Sequence, residues 1–179
     1  LGTPIGFHIY NWHKNPFNIN YPHFEPKDEF LRGLPYLRGK DINVMPYINA
    51  VSWETHDADE GFEVNFENTG KYGAALDKFG KPITVSYPQK KVNGEDTELS
   101  PMCPSFPAWR KIVNDLARKI ENELDVDGIY FDEIAAHNPH PCRSEEHDHI
   151  PGGGSYWSDG YNELMAGVNK NKRSDFFYV

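Results

Sequence analysis

The chain has 179 residues, a length that suits one domain with a sizeable hydrophobic core. Its formal net charge of −9 excludes a nucleic-acid partner held by a basic stripe, and no apolar run approaches the ~20 residues of a membrane span. Aromatic residues make up 14% of the chain, and rings set among polar loops suit stacking on sugars as well as core packing. Because the chain starts at Leu1 without a Met, we expect a segment of a longer protein. The compartment stays open, and a periplasmic or secreted location is compatible with the sequence.

Strands and helices alternate along the chain. In chain order, apolar periodicity predicts a strand over residues 5–10, a helix over 28–38, a strand over 43–48, a helix over 107–124 capped by Ser105, a strand over 128–132, a helix starting near Ser158 and a strand over 176–179. Residues 51–101 are rich in Gly, Pro and charged side chains, which predicts an irregular insertion after the second strand, with one hairpin around Asn93-Gly94.

This alternation predicts an α/β fold with a parallel sheet and right-handed crossovers. The last strand stops with the chain, so we expect residues 1–179 to be a single segment of a (β/α)8 TIM barrel, about half of it, truncated at both ends. A complete small doubly wound sheet is the alternative. Half a barrel leaves sheet edges and apolar surface uncovered, so we expect the isolated segment to self-associate.

The clearest functional signal lies at residues 127–133, where a turn and a buried apolar strand lead to Asp132 and Glu133. Catalytic groups in (β/α)8 barrels sit at the carboxyl ends of strands, and a buried carboxylate without a cation partner or a task is costly. We therefore expect Asp132 to be catalytic. On a regular strand Glu133 points to the opposite face, so we expect it to be a loop residue or one that supports the site.

Two adjacent carboxylates diverge, so a second acid for glycoside hydrolysis has to come from another strand, about 5–10 Å away. Glu54 and Asp57 are candidates inside the chain, and a residue beyond Val179 is the favoured one.

Period-two alternation places polar and aromatic side chains on one face of each strand. The set is His8, Tyr10 and Trp12 on the first strand, Tyr47 and Asn49 on the second, and Tyr130 and Asp132 on the third. We expect a sugar site whose substrate-binding residues are His8, Tyr10, Trp12, His13, Tyr47, Asn49, Trp53, Glu133, His137 and Trp157. For each Tyr and His the alternative is a satisfied core residue.

The polar loop over residues 137–156 is dense in potential metal ligands. No pair matches the short C-x2-C or the helical H-E-x-x-H spacing, so we expect no cofactor. An ion held by Cys142, His147 and His149 is a lesser possibility, and whether Cys103 meets Cys142 stays open. The competing interpretation is an active-site loop whose side chains hydrogen-bond sugar hydroxyls.

Five segments carry a family resemblance: residues 6–13 (GFHIYNWH), 45–49 (MPYIN), 102–104 (MCP), 127–132 (DGIYFD) and 151–157 (PGGGSYW). In this order they resemble a bacterial family of glycoside-hydrolase-like barrel proteins, the DUF6259-like domains, which are similar to α-glycosidase-type TIM barrels. The resemblance implies that a strand precedes the one containing Gly6, and that Asp132, at the end of the fourth strand, is the nucleophile. It also implies an acid/base on a later strand, outside this chain.

The sequence thus favours a glycoside hydrolase that retains configuration through two carboxylates and acts on a carbohydrate substrate. A non-catalytic carbohydrate-binding barrel and a metal-dependent hydrolase that uses the His-rich loop are the alternatives.

Overall fold

The computed structural model describes residues 5–56, 65–91 and 93–179. Its elements are β1 (Ile5–Ile9), α1 (Asp28–Arg38), β2 (Ile42–Asn49), β3 (Ser52–Glu54), a 3-10 helix (Gly70–Gly73), β4 (Val85–Lys90), β5 (Asp96–Pro101), α2 (Pro107–Glu123), β6 (Gly128–Asp132), α3 (Tyr156–Asn169) and β7 (Phe177–Tyr178). The predicted strands of the main sheet and the three predicted helices are confirmed, with small shifts at their ends. Among the described residues, no helix is both long enough and apolar enough to cross a membrane.

The main sheet has the strand order β1-β2-β6-β7, and each neighbouring pair is parallel. The predicted parallel α/β fold is therefore confirmed. The strands follow one another across the sheet in the order of the chain. A doubly wound sheet reverses its direction of growth at a switch point, and the described strands contain no such reversal.

Helix α2 supplies one apolar stripe to the core. Trp109, Val113 and Ile120 are buried, as their 3.6-residue spacing predicts. Pro107 is the first helical residue, where its missing N–H costs nothing. The expected Ser105 cap is wrong: Phe106 occupies the N-cap without a side-chain bond, and Ser105 Oγ instead donates to the carbonyl oxygen of Tyr156.

The insertion is more regular than its composition suggests. It forms a second sheet, antiparallel and ordered β3-β5-β4, and the predicted hairpin joins β4 to β5. Gly94 takes a φ of +86° in that turn, a backbone conformation that suits glycine. Residues 57–64 and 92 of the insertion lie outside the described residues.

A buried ion pair holds the insertion together. Lys91 Nζ lies 2.8 Å from Glu54 Oε1, and the two side chains are only 3% and 0% exposed. Glu54 also accepts a hydrogen bond from the backbone amide of Asn20, which ties β3 to the segment after β1. Burial raises the pKa of Glu54, whereas Lys91 and Asn20 act to lower it. The cation therefore compensates for a carboxylate that has lost its water.

His13 packs in an aromatic part of the core. Its fully buried ring meets Trp12, Tyr21 and Phe24 edge-on. Burial lowers its pKa from 6.5 to about 4, so the ring is neutral at pH 7.

We predict that Lys91→Met destabilises the protein by about 3–5 kcal/mol at pH 7, because Glu54 would be left as a buried, unpaired charge. The neighbouring Lys90, whose ion pair with Asp96 is exposed, provides the matched control. Lys90→Met should cost at most about 1 kcal/mol. Because the folded-state pKa of Glu54 is raised, the deficit of Lys91→Met should shrink as the pH falls and Glu54 becomes neutral. Urea unfolding of both variants at pH 7 and at pH 5 measures this, and equal costs for the two lysines would contradict it.

A second prediction concerns His13. A pKa lowered from 6.5 to about 4 means that the unfolded chain binds the proton more readily. The stabilisation is complete above pH 6.5 and is lost as the pH falls towards 4, at a cost of about 3 kcal/mol. His13→Phe should remove this part of the pH dependence. Unfolding curves between pH 7 and pH 4 compare the slopes, and an unchanged slope in the variant would count against a buried neutral His13.

Candidate active site

The carboxyl ends of β1, β2 and β6 lie along one edge of the parallel sheet. The register places Tyr47 beside Tyr130 and Asn49 beside Asp132, so these four residues share a face, as their period-two spacing predicts. The next residue after β1 on the corresponding face is Tyr10, and its ring stacks on that of Tyr47 with centroids 4.9 Å apart.

Rings from three strands converge on this face. His8 of β1 stacks on Tyr130 of β6 at 4.6 Å, and Tyr10 lies 5.7 Å from Tyr130. Strand β2 separates β1 from β6, so in a flat sheet their backbones would lie about 9–10 Å apart. The rings of His8 and Tyr130 therefore lean towards each other over β2. We call His8, Tyr10, Tyr47 and Tyr130 the aromatic cluster.

Asp132 ends β6 beside the aromatic cluster and is partly buried. Its Oδ1 accepts hydrogen bonds from Tyr130 Oη and from the backbone amide of Glu133, both at 2.9 Å. Hydrogen bonding with Tyr10 and then with Asp132 raises the pKa of Tyr130, so its hydroxyl stays protonated and donates at neutral pH. The two donors orient the carboxylate and, within the described part of the chain, leave Oδ2 open to a substrate.

Glu133 does not continue the strand. Its φ of +67° lies in the left-handed region, which costs a residue with a side chain about 1–3 kcal/mol. The expectation that Glu133 points away from this face is therefore wrong, because it assumed a regular strand. Its Oε2 accepts from Asn49 Nδ2 at 2.9 Å, and its Oε1 accepts from Tyr87 Oη at 3.1 Å.

The orientation of the Asn49 amide is set by the backbone. Its Oδ1 accepts hydrogen bonds from the amides of Val51 and Ser52, each at 2.9 Å. An acceptor on that side leaves only the NH2 group to face Glu133, and an NH2 group can only donate. The chain leaving β2 thus determines which atom meets the carboxylate.

Tyr87 and an adjoining cavity were not anticipated. Tyr87 comes from β4 of the insertion, and its pKa is raised by burial and then by Glu133, so it serves as a donor. A cavity of about 560 Å³ opens beside Tyr10 and is lined by Tyr10, Asn11, Lys14, Asn15, Pro16, Phe17 and Lys27. Lys27 Nζ donates to Asn11 Oδ1 at 2.7 Å on its wall. No periodic signal marks this loop in the sequence.

His137 lies in the loop after β6, and Trp157 is the second residue of α3. A turn after Glu133, with the amide of His137 donating to the carbonyl oxygen of Glu133 at 2.8 Å, brings His137 back towards the end of the strand. Its ring lies 6.2 Å from that of Trp157, which is 8% exposed and packs edge-on against Tyr161.

Five expected substrate-binding residues are buried instead. Trp12, His13, Tyr47, Asn49 and Trp53 are each at most 3% exposed. Trp12 Nε1 donates to the carbonyl oxygen of Tyr47 at 2.7 Å, and its ring stacks on Phe24, so it closes the core under the face. The alternation fails for Trp12 because β1 ends at Ile9. These five side chains have almost no exposed surface, and their part in substrate binding stays a prediction.

Of the two expected partner acids within the chain, only Glu54 lies among the described residues. Glu54 is sequestered with Lys91, as described above, and Asp57 lies outside the described residues. The possible metal ligands Cys142, His147 and His149 do lie together, and Cys103 joins them.

Comparisons with known proteins show the family of the chain. A family model described as "Domain of unknown function (DUF6259)" matches residues 1–177. A Bacteroides thetaiotaomicron protein named "Putative glycoside hydrolase" is 29% identical over 174 residues, which cover 95% of the chain and 24% of that protein. The chain thus spans about a quarter of the relative.

Solved structures of glycosidases share the fold. An α-galactosidase from Thermus thermophilus, determined with stachyose, superposes with a TM-score of 0.60 at 16% identity, over 97% of this chain and 32% of that one. An α-N-acetylgalactosaminidase from Bifidobacterium bifidum, determined with GalNAc, superposes with a TM-score of 0.61 at 10% identity. The match covers 91% of this chain and 25% of that one. At such low identity the likeness extends to the fold alone.

Proposed function

The chain belongs to the DUF6259 family, and we propose that it forms part of the catalytic (β/α)8 barrel of a retaining glycoside hydrolase. Asp132 is the nucleophile in this proposal. The observation that carries it is a carboxylate at the end of a parallel strand, held by Tyr130 and a backbone amide beside the aromatic cluster.

The strand order supports the partial barrel. Parallel strands that follow one another in chain order curl into a barrel, whereas a doubly wound sheet reverses. The contact between His8 and Tyr130 across β2 is compatible with the inward curvature of a barrel and supports the proposal. Four parallel strands would make up about half of the eight in such a barrel.

The chemistry follows from the placement of Asp132. Oδ2 attacks the anomeric carbon and displaces the glycosidic oxygen, giving a glycosyl ester on the enzyme. A carboxylic acid on another strand, outside the described residues, protonates the departing oxygen and then takes a proton from the water that hydrolyses the ester. Tyr130 stays protonated and holds Oδ1 throughout.

Glu133 is the less suitable nucleophile. Both of its oxygens already accept hydrogen bonds, from Asn49 and from Tyr87. It can accept a sugar hydroxyl as well, because a carboxylate has about four acceptor positions. His8 and Tyr10 are exposed on the same face and offer rings for a pyranose, and His137 lies at its edge.

We predict that Asp132→Asn in the full-length parent protein lowers kcat by roughly 10⁴-fold or more, the scale on which hydrolases lose activity when a nucleophile is removed. Glu133→Gln, at the neighbouring carboxylate, is the matched control. Its kcat should fall by a smaller factor, and its KM should change as well because Glu133 can accept a sugar hydroxyl. Aryl α-glycosides, such as the galactoside and N-acetylgalactosaminide, are the first substrates to test. Asp132→Ala with azide should form a glycosyl azide of inverted configuration, because the anion enters the space left by the carboxylate. Retained turnover in Asp132→Asn would overturn the assignment.

The same experiment separates the rival function. If the wild-type protein binds these sugars in a calorimetric titration but turns none over, the aromatic cluster belongs to a carbohydrate-binding barrel and not to an enzyme.

The partial barrel makes a prediction for residues 1–179 expressed alone. Ile5 and Phe7 on edge strand β1 are 41% and 50% exposed, which leaves apolar surface beside unpaired backbone groups. The segment should self-associate in light scattering, and Phe7→Lys should shift it towards monomer. A monodisperse monomer of the unmodified segment would contradict this.

A further inference from the structure

Two cysteines and two histidines meet inside the protein, apart from the proposed nucleophile. Cys103, Cys142, His147 and His149 each offer one ligand atom, and these atoms all lie within 4.8 Å of one another. Both thiols are 0% exposed and His147 is 5% exposed, while His149 is half-buried. The cysteines are not bonded to each other. We call these four residues the Cys2His2 cluster.

The hydrogen bonds of both histidines leave one nitrogen free for the cluster. His147 Nε2 lies 2.8 Å from the carbonyl oxygen of Tyr72, so it carries the proton and Nδ1 keeps its lone pair. His149 Nδ1 lies 2.9 Å from the carbonyl oxygen of Ile150, which likewise assigns the proton to Nδ1. His149 Nε2 is buried and has no hydrogen-bond partner among the described residues. A histidine whose other nitrogen donates to a carbonyl is oriented as metal ligands are.

The spacing fits a tetrahedral ion of the size of zinc. Zn–S and Zn–N bonds of about 2.3 and 2.0 Å give ligand-to-ligand distances of about 3.6 Å in a tetrahedron. Cys142 Sγ lies 3.4 Å from His147 Nδ1, and the other pairs need to close by no more than about 1 Å. The amide of Leu76 also donates to Cys142 Sγ at 3.4 Å, which stabilises negative charge on the sulfur.

We propose that the Cys2His2 cluster binds one Zn²⁺ ion as a structural site. Two sulfur and two nitrogen ligands are a set that structural zinc prefers, and four protein ligands leave no position for a water or a substrate. The ion therefore does not catalyse hydrolysis, and this proposal stands whether or not the protein is a glycosidase. It excludes the metal-dependent hydrolase that would use the same loop.

The site joins three segments that are distant in sequence. Cys103 follows β5, and the other three ligands lie in the loop between β6 and α3. Tyr72, whose carbonyl oxygen orients His147, lies in the 3-10 helix of the insertion. Cys142 and the loop are already fastened to the insertion, because the amide of Arg143 donates to the carbonyl oxygen of Leu76 at 2.9 Å. Zinc would lock the loop that begins at Glu133 and carries His137.

The test uses the full-length protein, reduced and stripped of metal by a chelator. On titration with Co²⁺, one equivalent should bind with the visible bands of a tetrahedral ion and a sulfur-to-metal charge-transfer band, and Zn²⁺ should displace it. Cys103→Ser with Cys142→Ser should abolish the charge-transfer band. His149→Gln should weaken zinc binding by at least the ~10–100-fold typical of a lost supporting group. His140→Gln, in the same loop but outside the cluster, should bind as the wild type does.

Other outcomes would overturn the proposal. If the reduced wild-type protein binds no equivalent of Co²⁺ or Zn²⁺, the proposal is wrong. This result needs no variant, so it does not depend on whether a substituted protein folds. A charge-transfer band that survives the double cysteine substitution would place the ion elsewhere. A Cys103–Cys142 disulfide in the protein as isolated, found by peptide mass mapping, would give the pair a different role.

Discussion

The register between β2 and β6 is the constraint on which the candidate site depends. It places Asn49 beside Asp132 and Tyr47 beside Tyr130, and a slip of one residue would turn every one of these side chains to the other face. Within β6, the hydroxyl of Tyr130 reaches the carboxylate two residues later on the same strand. The register sets what surrounds this pair: the ring of Tyr47 lies beside Tyr130, and the rings of His8 and Tyr10 pack on these two tyrosines.

The second sheet is part of the candidate site and not an appendage to the main sheet. Tyr87 reaches Glu133 from β4, and β4 is held by the buried pair of Lys91 and Glu54. Glu133 also receives the Asn49 amide, whose direction is set by the backbone at the exit from β2. A strained φ such as that of Glu133 persists where several contacts fix the residue in place. The hydrogen bonds from Asn49 and Tyr87 are such contacts.

Local pattern was enough to predict that Asp132 ends a parallel strand, because a turn, an apolar run and a carboxylate are visible over seven residues. It failed for Trp12, since alternation says nothing about where a strand stops, and β1 stops before Trp12. It failed for Glu133 because a left-handed φ at a non-glycine residue leaves no mark in the sequence. Tyr87, the burial of Glu54 and the meeting of Cys103 with the His-rich loop depend on contacts across dozens of positions. Those contacts exist only once both sheets are assembled.

The fastening between the insertion and the loop after β6 has a consequence for how such proteins diverge. Tyr72 and Leu76 offer backbone groups to His147, Cys142 and Arg143, so the two segments recognise each other through main-chain geometry as much as through side chains. Neither segment could be shortened, lengthened or exchanged between relatives without its counterpart. A change in the shape of the loop after β6 would have to be inherited together with a matching change in the insertion, as a single exchangeable module.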